Sequence, residues 1–114
     1  MIASPRLLLS QLQDAKNGLE DAQIALCGAV TARAEARRIL ERAEAYLLCE
    51  GIEGKNEKER AARLQLELTA GYTGLHDAED ALTQAQCTYE CAKLEWDLAR
   101  YSVRVLEGSL ATAA

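Results

Sequence analysis

The chain has no Phe, one Pro, one His and one Trp, and each scarcity removes a class of explanation. Without Phe and with a single Pro, the 49% apolar fraction is mostly Ala and Leu. Such a composition, with Glu and Arg beside it, reads as long helices and excludes a disordered chain. One His leaves no Cys–His or Ser–His–Asp grouping, and the carboxylates are scattered over solvent faces. No catalytic constellation can be assembled from that inventory, so an enzyme is not expected, nor is a cofactor. Long apolar runs are missing as well. Leu7-Leu8-Leu9 is too short for the apolar region of a secretory signal, and nothing approaches the roughly 20 residues that cross a bilayer. A cytoplasmic protein without a membrane partner is therefore expected. Its four cysteines, Cys27, Cys49, Cys87 and Cys91, then behave as small hydrophobes in a reducing compartment. The net charge of −5 argues against general nucleic-acid binding, which needs a clustered cationic surface.

What is present is periodicity. Spacings of four and three pick out Leu8, Leu12, Ala15, Leu19, Ala22, Leu26, Ala29, Arg33, Ala36, Leu40, Ala43 and Leu47. A heptad seam sustained this long predicts a coiled-coil helix. Ser4 is a good cap and Pro5 a good first helical residue, because the missing N–H of Pro costs nothing there. The first helix is expected from Pro5 to about residue 49. Gly18 and Gly28 each cost about 1 kcal/mol relative to Ala, and neither breaks the register.

Residues 50–56 are the one convincing loop. Gly51 and Gly54 supply a cap and a turn, and Asn56 followed by Glu59 has capping-box spacing. The second helix is expected over residues 57–107. Its seam is Leu64, Leu68, Gly71, Leu75, Ala78, Leu82, Ala85, Tyr89, Ala92, Trp96, Ala99, Val103 and Leu106. Gly71-Tyr72-Thr73-Gly74 is the expected weak point, and Gly108 the expected cap.

If the loop folds one helix back on the other, facing residues have numbers of constant sum. One such register places Leu40 opposite Gly71, Ala36 opposite Leu75, Ala29 opposite Leu82, Ala22 opposite Tyr89 and Ala15 opposite Trp96. Large meets small in nearly every layer, which keeps native packing density without voids. The expected fold is all-α, a long antiparallel helical hairpin of about 60 Å at 1.5 Å per residue, forming a single domain. Arg33 is the one seam charge. Its stem can pack while its head reaches Asp77 or Glu79, as a register-fixing polar residue does in other coiled coils.

The second helix carries another apolar row, Cys87, Cys91, Leu94, Leu98, Tyr101 and Val105, again at spacings of four and three. The first helix cannot cover both faces, and a contiguous exposed apolar patch marks an interface. Leu7, Leu9 and Ile24 are surplus hydrophobes at the same end. Two hairpins are expected to join there as a homodimeric four-helix bundle; a different helical protein is the other candidate partner. Cys87 and Cys91 lie one turn apart, as half a metal site would. His76 is about three turns away, so small interface residues are the better reading and no metal is expected.

Toward the loop the charges become dense. Arg37, Arg38, Arg42, Lys55, Lys58 and Arg60 form the candidate nucleic-acid contact, with Glu35, Glu41, Glu44, Glu50, Glu53, Glu57 and Glu59 interspersed. Mixed signs at helical spacing usually make a solvated face with weak ion pairs. Gly51-Ile52-Glu53-Gly54 matches the bare pattern of KH loops, but that module needs a sheet. Gly54-Lys55-Asn56 lacks the upstream glycine and the hydroxyl residue of a Walker A motif.

The Gly54-Lys55-Asn56-Glu57-Lys58-Glu59-Arg60 turn, the Leu64/Leu68 spacing, Tyr72, Leu75 and Ala78-Glu79 resemble small uncharacterised phage and prophage proteins. In those, a G-K-N-x-x-x-R turn separates two coiled-coil helices. The resemblance covers mainly the second half of the chain and implies a mobile-element origin. Where that pattern has a polar or acidic residue before the Tyr, this chain has Gly71. Two functions follow as expectations. One is a structural or adaptor protein acting through coiled-coil contacts. The other is a nucleic-acid-associated accessory protein of phage replication or recombination, using the basic residues at the tip.

Overall fold

The computed structural model describes residues 4–113, and it is all-helical among them, with no strand. Three helices follow in order: α1 (Pro5–Glu50), α2 (Glu57–Glu67) and α3 (Thr69–Ala113). They form two units. One draws on α1 up to Cys27 and on α3 from Gln84 onward; the other runs from Gly28 to Thr83.

The helix ends follow from local chemistry. Ser4 Oγ accepts from the Leu7 N–H at 3.1 Å, satisfying one of the free donors at the start of α1, and the Ser4 carbonyl takes the first intrahelical bond from Leu8 at 3.1 Å. At the other end Gly51 has a φ of +88°, a left-handed conformation that costs a residue without Cβ little. Its N–H closes the last turn on the Leu47 carbonyl at 3.1 Å. The loop then returns to helix through Asn56, whose Oδ1 accepts from Glu59 N–H at 2.8 Å. Glu59 reaches back to accept from the N–H of Lys55 at 3.1 Å, one residue earlier than the ordinary capping-box partner. Gly54 is required by crowding: a Cβ there would stand 2.6 Å from Arg60 Cγ and 3.0 Å from Arg60 N.

Two expected boundaries move. The break in the second helical stretch falls at Leu68 (φ −108°, ψ 23°), not at Gly71–Gly74, which is helical throughout. At this break the Thr69 hydroxyl donates to the carbonyls of Leu66 at 2.9 Å and Gln65 at 3.2 Å; single back-bonds of the same kind at Thr83, Ser102 and Thr112 leave α3 unbroken. The ladder survives on either side, with Leu68 N–H bonded to Leu64 and Tyr72 N–H to Leu68, each at 3.0 Å. The second shift is at the end. The helix does not stop near residue 107; it runs through Gly108 to Ala113, where Ala-rich sequence favours continuation.

The seam positions are where the chain buries surface. Every residue of both expected seams is buried or half-buried, and among the described residues only Glu44, Ile52, Tyr72, Glu79 and Ser102 join them. Ala22 and Leu40 are the most enclosed, at 5% and 4% exposure. In the unit from Gly28 to Thr83, Leu40 Cδ1 lies 2.9 Å from where a Cβ on Gly71 would be. Gly71 thus owes its place to close approach, whereas Gly18, Gly28, Gly74 and Gly108 have open space around them. In the same unit Tyr72 Oη donates to Glu44 Oε1 at 2.7 Å. The Arg33 head approaches Glu79 at 4.0 Å, the second of its two expected partners.

Candidate interaction surface

α3 brings the outer row to one face by helical spacing alone. Leu94, Leu98, Tyr101 and Val105 are 69%, 65%, 65% and 53% exposed, and Cys87 and Cys91 are exposed above them. All six lie in the unit built from the start of α1 and the later part of α3. Between them the seam residues Ala92, Trp96, Ala99 and Val103 are half-buried, so one helix presents a covered face and an uncovered one. Leu7, Leu9 and Ile24 of α1 are exposed in the same unit. A shallow cleft of about 330 Å³ runs beside Leu98, with Asp14 and Ala15 on the α1 side and Glu95 and Ser102 on the α3 side. Arg100 lies over the Trp96 ring at 5.9 Å, within cation–π range.

The basic candidates fall in the other unit and are also exposed: Arg37, Arg38 and Arg42 on α1, Lys55 in the loop, Lys58 and Arg60 on α2. Arg38 pairs with Glu35 on its own helix, and Arg63 pairs with Glu53 at 3.6 Å. Glu41, Glu50, Glu57 and Glu59 are exposed beside them. Exposed pairs of this kind contribute about 0–1 kcal/mol each.

Two features of this unit escaped sequence reasoning. The Tyr72–Glu44 hydrogen bond raises the Tyr72 pKa above 10.0, first because the phenol proton is held by the carboxylate, then through burial and the nearby negative charge. Its signal was that each residue directly follows a seam position, Gly71 and Ala43. Ile52, half-buried in the loop, closes a cleft of about 330 Å³ against Leu48, Ala61 and Leu64. An isolated apolar residue between two glycines was the available sign. Sequence reasoning also stopped the seam at Leu106, although Leu110 continues its spacing on α3 and is 60% exposed.

Among the described residues, no three His, Cys, Asp or Glu side chains are placed to share a metal ion. No helix among them is long and apolar enough to cross a membrane. Comparison with known protein families, curated proteins and solved structures finds no match to this chain.

Proposed function

We propose that the chain is a non-enzymatic scaffold, a long antiparallel helical hairpin that works through coiled-coil contact, and that its first partner is a second copy of itself. The observation that carries this reading is the row Leu94, Leu98, Tyr101 and Val105, left more than half exposed on a helix whose other face is already covered. Burying the exposed parts of such side chains yields about 1–2 kcal/mol apiece. Eight of them, four from each copy, offset an association cost on the order of 10 kcal/mol. The result is a four-helix assembly. The hairpin itself is supported by the Leu40–Gly71 approach and the Tyr72–Glu44 bond, which join the layers that a fold-back at residues 51–56 would bring together. The likeness of the Gly54–Arg60 turn to phage and prophage proteins supplies the setting, a mobile-element accessory in the cytoplasm.

Sedimentation equilibrium tests the association. The expected result is a species of twice the 12.4 kDa chain mass at tens of micromolar, returned to single mass by Leu98→Glu. A wild-type chain of single mass at that concentration would remove the self-association. Nucleic-acid contact through Arg37, Arg38, Arg42, Lys55, Lys58 and Arg60 is the competing reading. It requires salt-dependent DNA binding that Arg37→Glu with Arg38→Glu weakens. The interleaved carboxylates weigh against it.

A further inference from the structure

We propose that the second copy docks antiparallel along α3, about a two-fold axis passing between Ala99 and Arg100; this rests on the self-association reading above. In an antiparallel pair, facing core residues have numbers of constant sum, so each choice of axis fixes every layer and every flanking charge. With the axis here, Leu94 meets Val105 of the second copy and Leu98 meets its Tyr101, with the same two contacts repeated by symmetry. All four large exposed side chains then face one another at the centre. Cys91 falls opposite Gly108 and Cys87 opposite Thr112, so small residues taper the two ends of the contact.

Charge selects this register over its neighbours. The outer row is flanked on one side by Glu90, Asp97 and Arg104 and on the other by Thr88, Glu95 and Ser102; all but Ser102 are exposed. The proposed axis puts Asp97 against Arg104 of the second copy twice, and Glu95 against Ser102, with no like charges facing. Moving the axis half a heptad toward the start of α3 sets Asp97 against Asp97 and Glu95 against Glu95 across it, which cancels the two Glu90–Arg104 attractions that the same shift would make. Moving it a further half heptad sets Glu90 against Asp97 twice. A parallel pairing sets Glu90 against Glu95 twice. Like charges directly across a helix pair suppress the wrong alignment, so only one arrangement combines the full apolar row with net attraction.

The test uses the full chain and three charge variants, with helix content checked by circular dichroism and dissociation constants read by sedimentation. Asp97→Arg and Arg104→Asp are each expected to raise Kd about tenfold, since each turns two attractive pairs into repulsive ones. Mixed in equal amounts, the two variants are expected to form the heterodimer preferentially in native mass spectrometry. There the introduced arginine of one chain faces the introduced aspartate of the other, and the unchanged Arg104 of the first faces the unchanged Asp97 of the second. Glu90→Gln is expected to leave Kd within about twofold. Weakening by Glu90→Gln would instead indicate the axis shifted half a heptad, and tightening would indicate an axis a whole heptad away or a parallel pair; any of these overturns the register while leaving the dimer. A mixture that stays at the statistical proportion of heterodimer overturns it as well. A wild-type chain of single mass removes the self-association reading itself.

Discussion

Gly71 and Gly74 lie one turn apart on α3 and offer a controlled comparison, because only one of them meets another helix. Replacing a helical Gly by Ala gains about 1 kcal/mol through reduced backbone entropy in the unfolded chain. At Gly74 nothing lies within 4 Å of the added Cβ, so the whole gain should appear. At Gly71 the same methyl would stand 2.9 Å from Leu40 Cδ1, below any ordinary carbon contact. Leu40 is only 4% exposed, and its neighbours limit how far it can swing aside. Overpacking of this kind costs about 1–3 kcal/mol, which cancels or exceeds the entropic gain. Gly74→Ala should therefore raise the thermal midpoint by about 4–8 °C, while Gly71→Ala leaves it unchanged or lowers it. Circular dichroism melts at fixed protein concentration measure both, which matters because the proposed association would make the midpoint concentration-dependent. Adding Leu40→Ala to Gly71→Ala should relieve the clash, so that the pair costs less than the two single changes together. If Gly71→Ala stabilises as much as Gly74→Ala, the Leu40–Gly71 approach is wrong and the register of the hairpin falls with it.

Tyr72→Phe removes the bond to Glu44 and should cost about 1 kcal/mol at neutral pH by urea denaturation, with the slope unchanged. The same bond has a pH signature. The folded-state pKa of Tyr72 is raised, so its contribution is whole below the ordinary value of 10.0 and is lost as pH climbs through the folded value. Wild type should therefore lose its advantage over Tyr72→Phe only in strongly alkaline solution; a difference that persists there contradicts the assignment. Asn56→Ala deletes the cap of α2 and should lower stability by about 1 kcal/mol. Hydrogen exchange should quicken at the Glu59 amide before it does in the middle of α3, and equal protection at both sites would speak against the cap. Gly54→Ala should damage the same turn more than Asn56→Ala, because Arg60 backbone atoms stand in the way, and a neutral substitution in melting experiments would contradict that crowding.

The seams were legible in the sequence because burial enforces them at every turn. A residue such as Ala36 or Leu82 has one angular position on its helix, and spacings of four and three determine it without reference to anything distant. The ends and breaks depended on finer competition. Two glycines in four residues looked like the weak point of the second stretch, yet Gly71–Gly74 is helical, with Tyr72 N–H bonded to the Leu68 carbonyl at its start. The interruption falls instead at Leu68, beside Thr69, whose hydroxyl bonds two carbonyls of the preceding turn. Gly108 was similarly a poor guide, since Ala111 and Ala113 favour helix beyond it. The Tyr72–Glu44 bond lay outside any seam pattern. It joins side chains that flank the contact rather than fill it, and heptad spacing says nothing of which flanking residues reach each other.

The two long helices differ on their outward faces, and the difference bears on what the protein does. Along the first unit, the outward row of α1 runs Leu7, Ser10, Asp14, Asn17, Asp21 and Ile24, exposed throughout, polar in the middle and apolar only at its two ends. The corresponding positions of α3 are Leu94, Leu98, Tyr101 and Val105. A helix pair that met only water would carry polar residues outward on both helices, since an exposed Leu or Tyr gains little there and invites association. A helix pair gripped on all sides would carry apolar residues on both. The continuous apolar row on α3, against one interrupted by Ser10, Asp14, Asn17 and Asp21 on α1, suits the proposed pairing through α3. The basic residues of the other unit follow the opposite pattern, with Arg38 held by Glu35 and Arg63 by Glu53. Those two charges are met within the chain, whereas the apolar row on α3 stays exposed among the described residues. The proposed self-association therefore rests on α3 more than on α1.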